Sequence, residues 1–350
     1  MEILQDYSFL ELKNLIESYG EKGYRASQIY QGLHSGLKIS EISNISKDLK
    51  EKLLERFVDE PCKIVKRLVS KDGTEKFLIA LYDGNIVEGV YMKNNYGNTE
   101  CLSTQVGCRM GCKFCASGIG GLVRNLTAGE MLATVAQINR YSGGTIKTRK
   151  VTNVVLMGSG EPLDNYDNTV KFLRLVSSKE GLNISLRNIS LSTCGLVPQI
   201  IKLADEGLPV NLTISLHEPF NDKRKELMPI TNAYSIEEIL KACEYYFEKT
   251  GRRYIFEYSL VKGKNDRKED VNELIKILSH RPCHVNIIRL NEVKENNYRA
   301  TTEKETYAFC DMLVKGGLSA TVRRLNGADI EGACGQLRRS YIKGENYEQN

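Results

Sequence analysis

The chain lacks any run approaching the ~20 consecutive apolar residues of a membrane-spanning helix, which excludes a helical membrane protein. Its N-terminus, Met1-Glu2-Ile3-Leu4-Gln5-Asp6, has no basic stretch followed by an apolar one. No secretory leader is expected, and the chain is expected to stay in the cytoplasm. Internal repeats and low-complexity segments are also lacking, so the pattern of strands and helices must set the fold. Charge of neither sign dominates. Lys and Arg number 49 against 44 Asp and Glu, a net +5 that suits a polyanionic partner without establishing one.

What the chain does have is length and cysteine. Its 350 residues can bury a substantial core without staples. In a secreted mini-domain the ten cysteines would suggest disulfides; in a large chain with no export signal they point to metal binding or catalysis.

Residues 1 to about 60 read as short amphipathic helices. Leu10, Leu12, Leu15 and Ile16 mark one helical face, a second helix fits Ala26 to Leu33, and a third fits Lys47 to Phe57. Such a block holds little core of its own and is expected to pack on the rest of the chain. Ile64-Val65, Phe77 to Leu81 and Ile86-Val87 are strand-like, and Asp83-Gly84 signals a hairpin, so a small antiparallel sheet is expected over 61–97.

From about residue 98, strand-like and helix-like segments alternate. Strands fit Cys101–Val106, Asn153–Met157, Ile189–Thr193, Val210–Leu216, Tyr254–Leu260 and Val285–Leu290. Helices fit 127–141, 167–177, 197–206, 235–249, 267–279 and 303–315. Six units are too few for a closed eight-stranded barrel. The expected fold class is therefore α/β: a partial β/α barrel over 98–317, preceded by a helical accessory domain (1–60) and the small sheet, and followed by a C-terminal segment (318–350). Catalytic groups in such folds sit at the C-terminal ends of the strands.

Just after the first barrel strand the chain reads Cys108-Arg109-Met110-Gly111-Cys112-Lys113-Phe114-Cys115. Soft thiolates at Cys-x3-Cys-x2-Cys spacing in a loop suit an iron–sulfur cluster or zinc. A structural zinc site wants four ligands, and Cys101 is the nearest candidate for the fourth. A 4Fe-4S cluster on three cysteines leaves one iron open. Further candidates fall at predicted strand ends: Gly158-Ser159-Gly160-Glu161-Pro162, Ser192, Ser215-Leu216-His217 and Asn291. Taken alone, the glycine-rich segment is a generic turn and His217 a packing residue.

The cysteine triplet, with Phe114 before its last member, resembles the radical S-adenosylmethionine (SAM) superfamily. That resemblance implies a cluster on Cys108, Cys112 and Cys115 whose open iron binds the amino and carboxylate groups of SAM. Reductive cleavage then gives a 5′-deoxyadenosyl radical. Cys101 to Cys108, Arg124-Asn125-Leu126, Ser215-Leu216-His217, Leu227-Met228-Pro229-Ile230 and Ala333-Cys334-Gly335-Gln336-Leu337 resemble more narrowly the RlmN family of RNA methyltransferases. This likeness runs from about Tyr24 to Arg339. It implies methylation of carbon 2 of adenosine 2503 in 23S rRNA and of adenosine 37 in tRNA, using two SAM molecules.

Matched motif to motif, Cys334 carries the methyl group as S-methylcysteine. Cys101 resolves the covalent protein–RNA adduct, leaving a disulfide, and Glu88 accepts the proton. Gly160, Glu161, Ser192, Ser215, Leu216, His217 and Asn291 bind SAM. The resemblance also implies a one-electron donor such as flavodoxin or ferredoxin, and a monomer is expected. Cys62, Cys194, Cys243, Cys283 and Cys310 match no motif and read as ordinary thiols.

The sequence departs from the family pattern at Ser159, where Met is usual, and at Arg289, which resembles Cfr, the carbon-8 relative. Asp72-Gly73-Thr74-Glu75-Lys76 and Ile119 to Arg124 resemble the carbon-2 enzymes. Basic clusters at Lys66-Arg67, Lys147–Lys150, Lys223–Lys225, Arg323-Arg324 and Arg338-Arg339 could track RNA phosphates, with residues 1–93 gripping RNA away from the target base.

Overall fold

The structure, a computed structural model, describes residues 1–292 and 297–330. Three helices open the chain: α1 (Phe9–Ser18), α2 (Tyr24–His34) and α3 (Lys47–Arg56). A capping box starts α1, in which Ser8 Oγ accepts the Glu11 N–H and the Glu11 carboxylate accepts the Ser8 N–H. Its buried face is Leu12 and Ile16; Leu10, two residues off that face, is 66% exposed. The block holds more core than its pattern suggested. Short 3-10 turns at Leu4–Asp6 and Ile39–Glu41 add Leu4, Ile39, Ile42 and Ile45 to the helical leucines, and Phe57 closes this separate cluster.

Three antiparallel strands come next: β1 (Cys62–Val69), β2 (Glu75–Leu81) and β3 (Ile86–Met92). The β2–β3 connection is a four-residue loop (82–85) whose turn is closed by Gly84 N–H to Leu81 O, with Gly84 at φ +85°. β3 also pairs antiparallel with β4 (Thr99–Leu102), placing Val90 opposite Cys101, so this small sheet continues into the barrel.

β4 is shorter than the expected Cys101–Val106 strand. Ser103 Oγ donates to Glu88 O and accepts the Ser159 N–H, while the N–H groups of Thr104 and Gln105 both bond Ser159 O. This turns the backbone out of the barrel sheet into β5 (Gln105–Gly107), which pairs with β6 (Leu122–Asn125).

Strand and helix then alternate: α4 (Ala128–Tyr141), β7 (Asn153–Leu156), α5 (Tyr166–Val176), β8 (Ile189–Thr193), α6 (Val197–Asp205), β9 (Asn211–Ser215), α7 (Asn221–Leu227), α8 (Ile236–Thr250), β10 (Tyr254–Leu260), α9 (Lys268–Leu278), β11 (Cys283–Arg289), α10 (Glu303–Lys315) and β12 (Ala320–Val322). The full sheet order is β1-β2-β3-β4-β7-β8-β9-β10-β11-β12, parallel from β4 onward and open at both edges. Six strand–helix units are present as expected. β12, a short strand after the last helix, extends them. No helix among the described residues is long and apolar enough to cross a membrane.

The helical block docks on this barrel. The Asp6 carboxylate accepts the Gly129 N–H at the start of α4, and Arg140 bonds both Gly36 O and the Glu41 carboxylate.

Candidate functional site

The C-terminal ends of the strands surround a cavity of about 360 Å³, within the roughly 300–1,000 Å³ usual for small-molecule sites. Its first wall is the cysteine loop. Cys108 leaves β5 buried and donates its N–H to Gly121 O; Cys112 and Cys115 are half-buried, and Cys115 N–H closes a turn on Cys112 O. The loop is tied down at both ends. Arg109 pairs with Asp164, which also accepts from Gln105 Nε2, and Lys113 N–H donates to Leu227 O (2.9 Å). Burial pushes the Cys108 thiol up to about 11, and burial and then the neighbouring thiols push Cys112 upward as well. A bound metal centre would reverse this by stabilising the thiolates.

The second wall is the β7 end. Two glycines there are fixed by close approach. A Cβ on Gly158 would meet Leu102 O and Ser103 N at 2.7 Å, and one on Gly160, at φ +109°, would meet Gln105 N at 2.7 Å. Glu161 is thereby turned inward and buried. Its N–H donates to Gln105 Oε1, and its carboxylate accepts the N–H groups of Cys194 (2.8 Å) and Leu163 (3.0 Å). Burial raises its pKa against those bonds, so a cationic ligand group would find a poised carboxylate.

The third wall comes from β8, β9 and β10. Ser192 and Ser215 face the cavity at their strand ends, and His217 follows at φ +58°. The His217 Nδ1 accepts the Ser259 N–H (2.9 Å), which places the proton on Nε2. Burial holds its pKa down to about 3, so the ring is a neutral donor rather than a charge. Phe114 meets it edge to face at 4.9 Å.

Of the residues read from the sequence, Cys101, Cys108, Cys112, Cys115, Gly160, Glu161, Ser192, Ser215, His217 and Asn291 line this one cavity. Leu216 does not: it is buried in the core, its N–H on Glu257 O and its carbonyl on Arg224. Glu88 lies two residues from Val90 on β3, back from the cavity, with its carboxylate 3.2 Å from the ammonium of the fully buried Lys76. Cys334 lies outside the described residues.

None of the nine described cysteines is in a disulfide. Cys194 is no ordinary thiol, because it lines the cavity and its N–H holds Glu161. Sequence reasoning missed Glu257, and it read Arg224 and Arg323 only as members of basic clusters for RNA. Glu257 and Arg323 line the cavity and lie 3.5 Å apart.

Among the described residues no three His, Cys, Asp or Glu side chains converge tightly enough to hold a single metal ion. A polynuclear cluster puts each thiolate on a different iron, and three soft donors around one cavity suit it.

The superfamily model "Radical SAM superfamily" matches residues 102–278. The chain belongs to that superfamily. The model "Ribosomal RNA large subunit methyltransferase N-terminal domain" matches residues 3–58. Full-length relatives include proteins of Clostridium novyi (50% identical, covering 98% of this chain and 99% of that one) and Clostridium perfringens (52%, 98% of each), both named probable dual-specificity RNA methyltransferase RlmN. A radical SAM methyltransferase structure from Sphaerobacter thermophilus is 39% identical, covers 96% of this chain and 99% of its own, and superposes with a TM-score of 0.91. Within the superfamily the chain is a member of the RlmN family.

Proposed function

We propose that this chain methylates RNA, placing the methyl group on carbon 2 of adenosine 2503 in 23S rRNA and of adenosine 37 in tRNA. The observation that carries the reading is the convergence of Cys101 with the cysteine triplet, Glu161, Ser192, Ser215, His217 and Asn291 on one cavity.

Cys108, Cys112 and Cys115 would hold a 4Fe-4S cluster, which with SAM would supply a 5′-deoxyadenosyl radical. The chain's own residues do the rest. Glu161 offers a buried carboxylate to the SAM ammonium. Ser192 and Ser215 offer hydroxyls, Asn291 an amide at the rim, and His217 an Nε2–H donor. Cys334 takes a methyl group from one SAM by displacement at carbon, which releases S-adenosylhomocysteine. The radical would remove one hydrogen from the S-methyl group, and the S-methylene carbon would add to carbon 2, the adduct giving up one electron to a one-electron carrier and the carbon-2 hydrogen as a proton. Cys101, as a thiolate, then attacks the sulfur of Cys334; the sulfur–carbon bond breaks with its electron pair on the methylene carbon, which takes up a proton to become the methyl group, and a disulfide forms. Glu88 has the proton-accepting role by resemblance, its carboxylate standing beside Lys76 and back from the cavity.

Arg289, the feature shared with the carbon-8 relative, donates Nε to Thr301 O and does not line the cavity, which favours carbon 2. RNA is gripped in this reading by the N-terminal block and by basic residues. Fewer of those are available than the sequence suggested: Arg67 pairs with Glu75, Arg149 bonds Leu182 and Asn183 carbonyls, and Arg224 is fully buried. A cytoplasmic monomer served by flavodoxin or ferredoxin completes the proposal.

The test is mass spectrometry of nucleosides from RNA treated anaerobically with reconstituted protein, SAM and reductant. 2-Methyladenosine is expected. 8-Methyladenosine would move the chain to the carbon-8 chemistry. Neither product, with SAM still cleaved, would refute the RNA substrate.

A further inference from the structure

Arg224 in α7 is fully buried and every bond it makes is to a neutral group. Its Nε donates to Leu216 O (3.0 Å), Nη1 to Thr231 Oγ1 (2.8 Å), and Nη2 to Cys194 O (2.8 Å) and Ser215 O (2.9 Å). None of these four bonds reaches a carboxylate, and no ion pair to Arg224 is found among the described residues. A buried guanidinium with no counter-anion is costly, because carbonyls solvate it without neutralising it. A structural tie between strand ends could be made without charge.

The missing anion has a place. Met110, Cys112 and Phe114 of the cysteine loop pack on Leu227 and Met228, which follow Arg224 by less than one helical turn and a little more. Lys113 N–H bonds Leu227 O. α7 is thus the floor beneath the triplet, and the charge of Arg224 couples to the thiols of Cys194 and Cys112. A 4Fe-4S cluster with three thiolates is net negative when oxidised and gains one more negative charge on reduction. Net charge and burial are among the levers that set its potential.

We propose that Arg224 is the built-in countercation of the iron–sulfur site, raising the reduction potential of the cluster. The inference rests on Cys108, Cys112 and Cys115 being its ligands. Arg224 acts through the loop and touches neither SAM nor RNA.

The experiment uses the full-length protein, reconstituted anaerobically, in four variants: Arg224→Lys, Arg224→Met, Thr231→Asp and Thr231→Val. Thr231→Asp sets a carboxylate against Nη1 and neutralises the guanidinium without removing it, so the test survives if Arg224→Met fails to fold. Iron and sulfide content reports whether the cluster loads, and an EPR-monitored redox titration reports its potential. Arg224→Met and Thr231→Asp should shift the midpoint to more negative values, while Arg224→Lys and Thr231→Val stay near wild type. A wild-type midpoint in loaded Arg224→Met or Thr231→Asp overturns the proposal. So does a shift in Thr231→Val equal to that of Thr231→Asp. Failure of the wild-type chain to bind iron would instead refute the underlying reading of the triplet.

Discussion

Glu100 sits within β4 fully sealed from solvent, and neither carboxyl oxygen has a hydrogen-bond partner among the described residues. Thr99 and Cys101 face the barrel interior, so alternation puts Glu100 on the opposite face, where α4 packs. Burial pushes its carboxyl well above the usual carboxylate range. The folded chain therefore binds this proton more tightly than the unfolded chain, whose Glu titrates near ~4.3. The stability tied to that proton is complete below the unfolded value and is lost as pH rises toward the folded one. The loss is about 1.4 kcal/mol per pH unit. Glu100→Gln keeps the shape and abolishes the titration. Glu100→Leu also removes an unpaired buried polar group, which is worth about 1–3 kcal/mol. Urea unfolding followed by circular dichroism at pH 6 and pH 8 would measure both effects. The stability of Glu100→Gln relative to wild type should rise by up to about 2.7 kcal/mol over those two units, and Glu100→Leu should exceed wild type at pH 8. Parallel pH dependences for wild type and Glu100→Gln would refute the reasoning, because every other titrating group is common to both.

Three further predictions concern the site and its approach. Gly160→Ala must strain a φ of +109° and push a methyl group against Gln105 N; a stability loss of at least about 1–3 kcal/mol and weakened SAM binding by equilibrium dialysis are expected. Cys101→Ala should leave SAM cleavage to 5′-deoxyadenosine intact by chromatography while trapping RNA on the protein as a shifted band in a denaturing gel. Asp72 accepts the Gly327 N–H (3.0 Å), and Asp329 accepts from Ser70 Oγ and the Lys71 N–H, so the β1–β2 turn holds the segment that leads toward Cys334. Asp72→Ala should speed hydrogen exchange at 327–330, and an unchanged rate would count against that role.

The barrel strands were legible because apolar residues recur at alternate positions, as at Ile189 and Leu191 and at Tyr254, Phe256, Tyr258 and Leu260; Ile189–Thr193 and Tyr254–Leu260 match the sequence reading residue for residue. β12 was not, being three residues long and only partly buried. α7 was hidden by its composition, since Asn221 to Leu227 reads as a solvated charge run, and only the packing shows that its middle arginine is in the core. The N-terminal core was underestimated because part of it comes from isoleucines in short turns that carry no helical period. Cys194 gave one usable signal, its place directly after a barrel strand, but its contribution is a backbone N–H, which residue identity does not announce.

The same distinction explains why Ser159 can stand where the family pattern has Met. Its carbonyl accepts the N–H groups of both Thr104 and Gln105, and its own N–H bonds Ser103 Oγ. These bonds bend the chain from β4 into β5 and so aim the cysteine loop at the cavity. They are made by backbone atoms, which serine and methionine share. The flanking glycines have no such freedom, because the backbone of β4 and its exit lies where their Cβ atoms would be. Glu161 has little freedom either, with two backbone N–H groups on its carboxylate. A motif built this way should tolerate exchange at its middle position and fail at the three around it. The sequence departs from the family at a position whose side chain makes only one long hydrogen bond, Ser159 Oγ to Gly107 O at 3.5 Å, while its backbone makes the turn.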